Sequence, residues 1–181
     1  MEIILAALPA VLGLATGVVA GYLVRRVVVS RLARFAAGTA TQVDDVLVRT
    51  LRSSLPLWGA LIGLHAGVRL SVLPDNVRAT TADIIVVLLG VSMSWTLARL
   101  AGFVVRSAGG TNSALPAARI LQNLAQTGVF VLGALITLAT IGVSIAPLLT
   151  ALGIGGLAVG LALQDTLANL FAGFHILVSR Q

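Results

Sequence analysis

The sequence predicts an all-α polytopic membrane protein of about five transmembrane helices, the last a kinked pore-lining helix, with no cytosolic β domain in this chain. Three observations carry that expectation. Of 181 residues, 58% are hydrophobic and the mean hydropathy is +1.06, beyond the range of an ordinary soluble domain. Apolar runs of roughly 20 residues recur along the chain, the length a helix needs to cross a hydrocarbon core of about 30 Å. The 12 basic residues are all arginine, and they are heavy in two inner segments and light in the outer ones. A net charge of +6 would suggest nucleic acid in a soluble protein, but here it reflects positive inner loops, and no nucleic-acid partner is expected. Cysteine is absent, so disulfides and thiolate metal sites are excluded.

Residues 3–24 are almost wholly apolar and Arg25-Arg26 follows them. A secretory signal carries its charge before the apolar core, so this reads as a retained first span with its N-terminus outside. Arg25, Arg26, Arg31, Arg34, Arg49 and Arg52 mark residues 25–53 as cytosolic. Valines and leucines up to about Phe35 carry the first helix past the lipid, and Gly38-Thr39-Ala40 is a turn. Thr41-x-x-Asp44 resembles a capping box with Asp in place of Glu, and Val43, Val46, Leu47 and Leu51 follow at helical spacing. Asp44 and Asp45 suit solvated helix-start acids better than a metal or catalytic pair.

A second span covers Leu55 to Leu73, with Pro56 at a helix-start position. Its Arg69 is close enough to the outer end to snorkel. Its lone His65 reads as a hydrogen-bonded bundle residue rather than a pH sensor. Pro74-Asp75-Asn76 reads as a turn. A third span, about Ile84 to Val105, returns inward towards Arg99 and Arg106, with Trp95 as packing or an interfacial anchor. The Gly/Ser/Asn-rich stretch within 107–118 is the clearest internal linker. A fourth span, about Ile120 to Val143, runs outward, and the Ala146-Pro147 break leads into the last helix. The chain therefore divides into a lipid-facing four-helix region, 1–143, and a final helix, 144–181. No convincing internal repeat is visible, which argues against an inverted-repeat transporter.

The last helix is unusual in its glycines, each costing about 1 kcal/mol against alanine in a helix interior. At 100° per residue, Gly153, Gly156 and Gly160 fall on one face, with Ala151, Gly155, Ala158 and Ala162 almost opposite. Thr150, Ile154, Leu157, Leu161, Gln164, Asp165 and Ala168 lie between them on one side, and Leu152, Val159 and Leu163 on the other. A glycine face that fits the alanine face of an identical helix makes a heterologous contact, and repetition about an axis closes a ring. One intervening face then lines a hole in which Leu157 and Leu161 form two stacked apolar rings, a constriction that stops ions by dewetting. The simpler alternative is an ordinary helix pair through Gly156-x-x-x-Gly160. A straight helix from Pro147 to Val178 would span roughly 48 Å, longer than the hydrocarbon core, and an ionised Asp at mid-membrane costs at least about 3 kcal/mol. A bend is therefore expected at Gln164 or Asp165, with Asp165 as an N-cap and Gly173 as a further kink candidate.

The run from Gly156 to Gln164, Gly-Leu-Ala-Val-Gly-Leu-Ala-Leu-Gln, with Asn169 and Gly173 in register, resembles the pore helix of the bacterial small-conductance mechanosensitive channels. The Asp44-Asp45 pair before an amphipathic helix extends the resemblance more weakly. The resemblance implies Leu157 and Leu161 as the gate and Gly156, Gly160, Ala158 and Ala162 as packing faces. It also implies a ring of seven identical subunits in the cell membrane, with 1–143 sensing tension, that passes ions and small osmolytes on hypo-osmotic shock. Where the best-known branch has a kink glycine after the glutamine, this chain has Asp165. In the family a β-rich cytosolic domain follows the pore helix, whereas this sequence stops at Arg180-Gln181, so it is either a fragment or a channel lacking that cage.

No nucleophile–base–acid set, phosphate-cradling loop or metal-spaced cluster is present, so neither an enzyme nor a cofactor is expected. Two rivals remain: a non-conducting oligomeric anchor or signalling protein docking a partner on the arginine-rich inner segment, and a transporter, which needs a polar mid-membrane site this chain mostly lacks.

Overall fold

A computed structural model describes the backbone of residues 2–36, 42–108 and 116–179, and the surroundings of side chains 8–31, 48–107 and 118–179. Five α-helices make up almost all of it: α1 Glu2–Ala36, α2 Gln42–Leu70, α3 Asp75–Ala108, α4 Pro116–Thr140 and α5 Ala146–Ser179. No strand occurs among the described residues, in line with an all-α membrane protein. Four helices contain a segment long and apolar enough to cross a membrane: Leu8–Arg31, Asp75–Ser107, Ala118–Thr140 and Ala146–Ser179. The exception is α2, which carries Arg49, Arg52, His65 and Arg69. By contacts the chain separates into two compact units, Met1–Val143 and Ser144–Gln181.

Within the first unit the helices pack in chain order, α1 on α2, α2 on α3 and α3 on α4. The three seams use different chemistry. Between α1 and α2 it is glycine against glycine. A Cβ on Gly17 would lie 2.7 Å from the Cα of Gly63, and one on Gly63 would lie 2.5 Å from the Cα of Gly17. Gly13 meets Gly67, and Gly21 meets Pro56 and Gly59, so the helices run antiparallel with backbones touching. Lipid gives apolar side chains no reason to leave it, so close van der Waals approach of backbones supplies the attraction and offsets the poor helix propensity of glycine.

Between α3 and α4 the seam is small-polar and reciprocal. Ser94 Oγ donates to the Gly90 carbonyl at 2.7 Å and its side chain fills the space beside Gly133. Thr137 Oγ1 donates to the Gly133 carbonyl at 2.8 Å and its side chain fills the space beside Gly90. Each hydroxyl is satisfied on its own helix, four residues back, so burying it leaves no orphan donor. Trp95, expected to be packing or an interfacial anchor, packs edge-on against Phe130, with centroids 5.9 Å apart. The α2–α3 seam is bridged by hydrogen bonds, Trp58 Nε1 donating to Ser92 Oγ at 3.1 Å and the Ser54 and Thr96 hydroxyls pairing at 3.2 Å.

Several local expectations are corrected. Pro56 does not begin a helix but lies inside α2. A proline there removes one helical hydrogen bond, and the backbone around it is held where Leu55 and Pro56 abut Gly21. Asp75 and Asn76 are not turn residues but the first residues of α3. Pro74 offers its carbonyl to the Arg78 amide at 3.0 Å, and the Asp75 carboxylate pairs with the Arg78 guanidinium in the first turn. His65 lies on α2 with Nδ1 buried and without a hydrogen-bond partner, against the expectation of a hydrogen-bonded histidine. The turn at 38–40 and the cap residue Thr41 lie outside the described residues, as do the side chains of Asp44 and Asp45.

α4 ends in a Schellman motif: the Gly142 amide donates to Ala139 O at 3.0 Å and the Val143 amide to Leu138 O at 3.0 Å. Gly142 has φ +84°, which no side chain favours. Gly142→Ala is therefore expected to lower stability by about 1 kcal/mol, read as a fall in the thermal unfolding midpoint of the purified protein. An unchanged midpoint would show that this turn is not held left-handed.

Candidate pore helix

α5 starts where its sequence permits. Ile145 accepts the first helical hydrogen bond from the Leu149 amide at 2.9 Å, and Pro147 falls in the first turn, where a missing amide hydrogen costs nothing. From there the helix runs 34 residues to Ser179 without interruption. The helix is continuous through Gln164 and Asp165, so Asp165 is a mid-helix residue rather than an N-cap. The physical reason lies in the local sequence: beyond Pro147 the helix holds no proline, and Gln164, Asp165 and Thr166 each keep helical geometry at a modest cost in propensity.

Every described residue of α5 is exposed. Ile154, Leu157 and Leu161 are 64%, 65% and 62% exposed, so the face read as pore-lining bears large apolar side chains uncovered by the chain's own atoms. Thr150, on the same face, donates its hydroxyl hydrogen to the Ala146 carbonyl at 2.9 Å. Gln164, Asp165 and Ala168 continue that face. The packing residues behave alike: a Cβ built on Gly153, Gly155, Gly156, Gly160 or Gly173 meets nothing within 4 Å. Ala158 and Ala162 are exposed too. One chain therefore presents the candidate residues on a single helix but brings none of them together across a pore.

The glycines of α1 and α2 show what such a stripe does when it finds its complement. Gly13, Gly17 and Gly21 on one helix and Gly59, Gly63 and Gly67 on the other are in backbone contact, whereas the α5 glycines stand open. The sequence reading missed this seam. Its signal was plain, a Gly-x-x-x-Gly-x-x-x-Gly in each helix.

The stretch that joins α4 to α5 carries a likeness to known proteins. Residues 127–164, from mid-α4 through the Gly142 turn to Gln164, match the family described as "Mechanosensitive ion channel, transmembrane helices 2/3". The small-conductance mechanosensitive channel MscMJ of Methanocaldococcus jannaschii is 26% identical over 171 residues, 91% of this chain and 49% of that protein. Over these residues the chain is similar to mechanosensitive ion channels. A second relative from the same organism, the large-conductance mechanosensitive channel MscMJLR, is 32% identical over 149 residues, 77% of this chain and 41% of that protein. The chain thus spans about half the length of the curated relatives it matches. No solved structure matches it. The matched stretch falls on the second half of α4 and the first half of α5, and α1 to α3 precede it. These relatives bear the names of channels, not of enzymes.

Proposed function

We propose that the protein is an ion channel opened by membrane tension, in which copies of α5 surround the pore. The observation that carries this reading is the exposed, apolar α5 with two small-residue stripes and no cover for either. Gly153, Gly156 and Gly160 of one copy seat against Gly155, Ala158 and Ala162 of the next. Thr150, Ile154, Gln164, Asp165 and Ala168 line the lumen, and Leu157 and Leu161 close it. Family resemblance supports a ring of seven in the cell membrane, with the N-terminus outside, the C-terminus cytosolic, and ions and small osmolytes as cargo.

Tension favours whichever state occupies more membrane area, so the stimulus acts only through an area difference between closed and open rings. Helices α1 to α4 lie in lipid and pass their tilt to α5, where the glycine and alanine faces slide and widen the leucine rings. Purified protein in a liposome patch is expected to pass current as suction rises. Silence up to lytic tension would sink the channel reading and leave the non-conducting anchor.

A further inference from the structure

We propose that a groove along α1, closed on one side by Arg52 of α2, is a binding site for one anionic phospholipid. The groove has a volume of about 690 Å³. Two rows of α1 form its wall, Val18, Tyr22 and Arg25 in one and Val19, Leu23 and Arg26 in the next. Along both rows the apolar side chains give way to guanidinium groups at Arg25 and Arg26, within the span Leu8–Arg31, and Val29 and Ser30 extend the wall one turn beyond them. That gradient matches a phospholipid, with an acyl chain on the valines and Leu23 and a phosphate on the arginines.

The charges are set and unanswered. The Arg25 guanidinium carbon lies 5.6 Å from the centre of the Tyr22 ring, a cation–π contact that holds it at the wall. Among the described residues the one ion pair is Arg78 with Asp75, and no carboxylate pairs with Arg25, Arg26 or Arg52. On the adjoining face of α1, Gly17 and Gly21 are locked against α2, so the helix that carries the groove is already fixed before a ligand arrives. Inorganic phosphate would satisfy the arginines and leave the apolar wall bare. A phosphatidylcholine would cover the wall but bring a quaternary ammonium to three guanidinium groups. An anionic lipid answers both, its acyl chain covering the apolar wall and its negative headgroup meeting the guanidinium charges.

The site does not depend on conduction, and lipid retention tests it directly. The purified chain, exchanged from mixed dioleoyl phosphatidylglycerol and phosphatidylcholine and weighed by native mass spectrometry, is expected to keep one phosphatidylglycerol in roughly tenfold preference. Arg25→Gln with Arg26→Gln should lower its affinity roughly thirtyfold, and Arg52→Gln about fivefold. Arg25→Lys with Arg26→Lys, which keeps the charge, should stay within about threefold. Removing two charges elsewhere, Arg106→Gln with Arg119→Gln, should change nothing. Equal retention of the two lipids would overturn the proposal. So would an equal loss in the lysine or the Arg106/Arg119 variant, or displacement of the lipid by millimolar inorganic phosphate.

Discussion

A Leu161→Ser channel is expected to leak without suction, and Leu157→Ser to do so as well. Each replaces a fully apolar side chain on the proposed lumen face of α5 by one that holds water, and each would be repeated in every copy of the proposed ring. If a copy contributes only about 1 kcal/mol to keeping the constriction dry, several copies together shift the open-to-closed ratio more than roughly 100-fold. The measurement is open probability in patches at zero applied pressure, supported by slowed growth of cells expressing the variant. Val159, on the opposite side of the helix, supplies the control, since Val159→Ser leaves the proposed lumen face intact. Two silent leucine variants, or a leak from Val159→Ser alone, would move the gate off this face.

The second large effect concerns the glycine seam. Alanine normally gains about 1 kcal/mol over glycine in a helix, yet Gly63→Ala is expected to cost about 1–3 kcal/mol. Its methyl group would sit 2.5 Å from the Cα and 2.8 Å from the N of Gly17, so whole helices have to separate to admit it. Thermal unfolding of the purified chain should register the loss. Gly160→Ala offers the contrast, because nothing within the chain opposes its methyl group; dissociated chains should tolerate it, and any penalty should surface only in the assembled ring. A Gly63→Ala protein as stable as the parent would mean that α1 and α2 do not touch along this line.

Much of the architecture was legible because membranes simplify the code: apolar length marks spans, and arginines punctuate them. The helix boundaries at Ala36, Ala108 and Thr140 fall near where charge or glycine interrupts the apolar runs. What sequence periodicity could not fix was which small-residue stripe meets which. Gly153 to Gly160 and Gly13 to Gly21 look alike on a helical wheel, but only the second finds a stripe of matching spacing in the next antiparallel helix. The Ser94–Gly133 and Thr137–Gly90 exchange was hidden for a related reason, since the pairings join residues 39 and 47 positions apart and show only when α3 and α4 are laid together. Proline was over-read as punctuation: Pro56 sits within a helix that tertiary contact keeps whole. The N-cap reading of Asp165 was inferred from membrane thickness, a constraint outside the local sequence, and the local sequence itself keeps Asp165 inside a continuous helix.

Glycines spaced four apart on both α1 and α2 give that pair a mechanical property of its own. Slipping by one residue would drive Val18 or Thr16 into the notch that Gly17 now occupies, while the next equally good fit lies a full four residues along, about 6 Å away. The two helices therefore mesh like a rack with widely spaced teeth, stiff against small shear, and any deformation imposed by stretched lipid is passed on to the hydroxyl-bridged joint between α2 and α3 rather than absorbed within the pair.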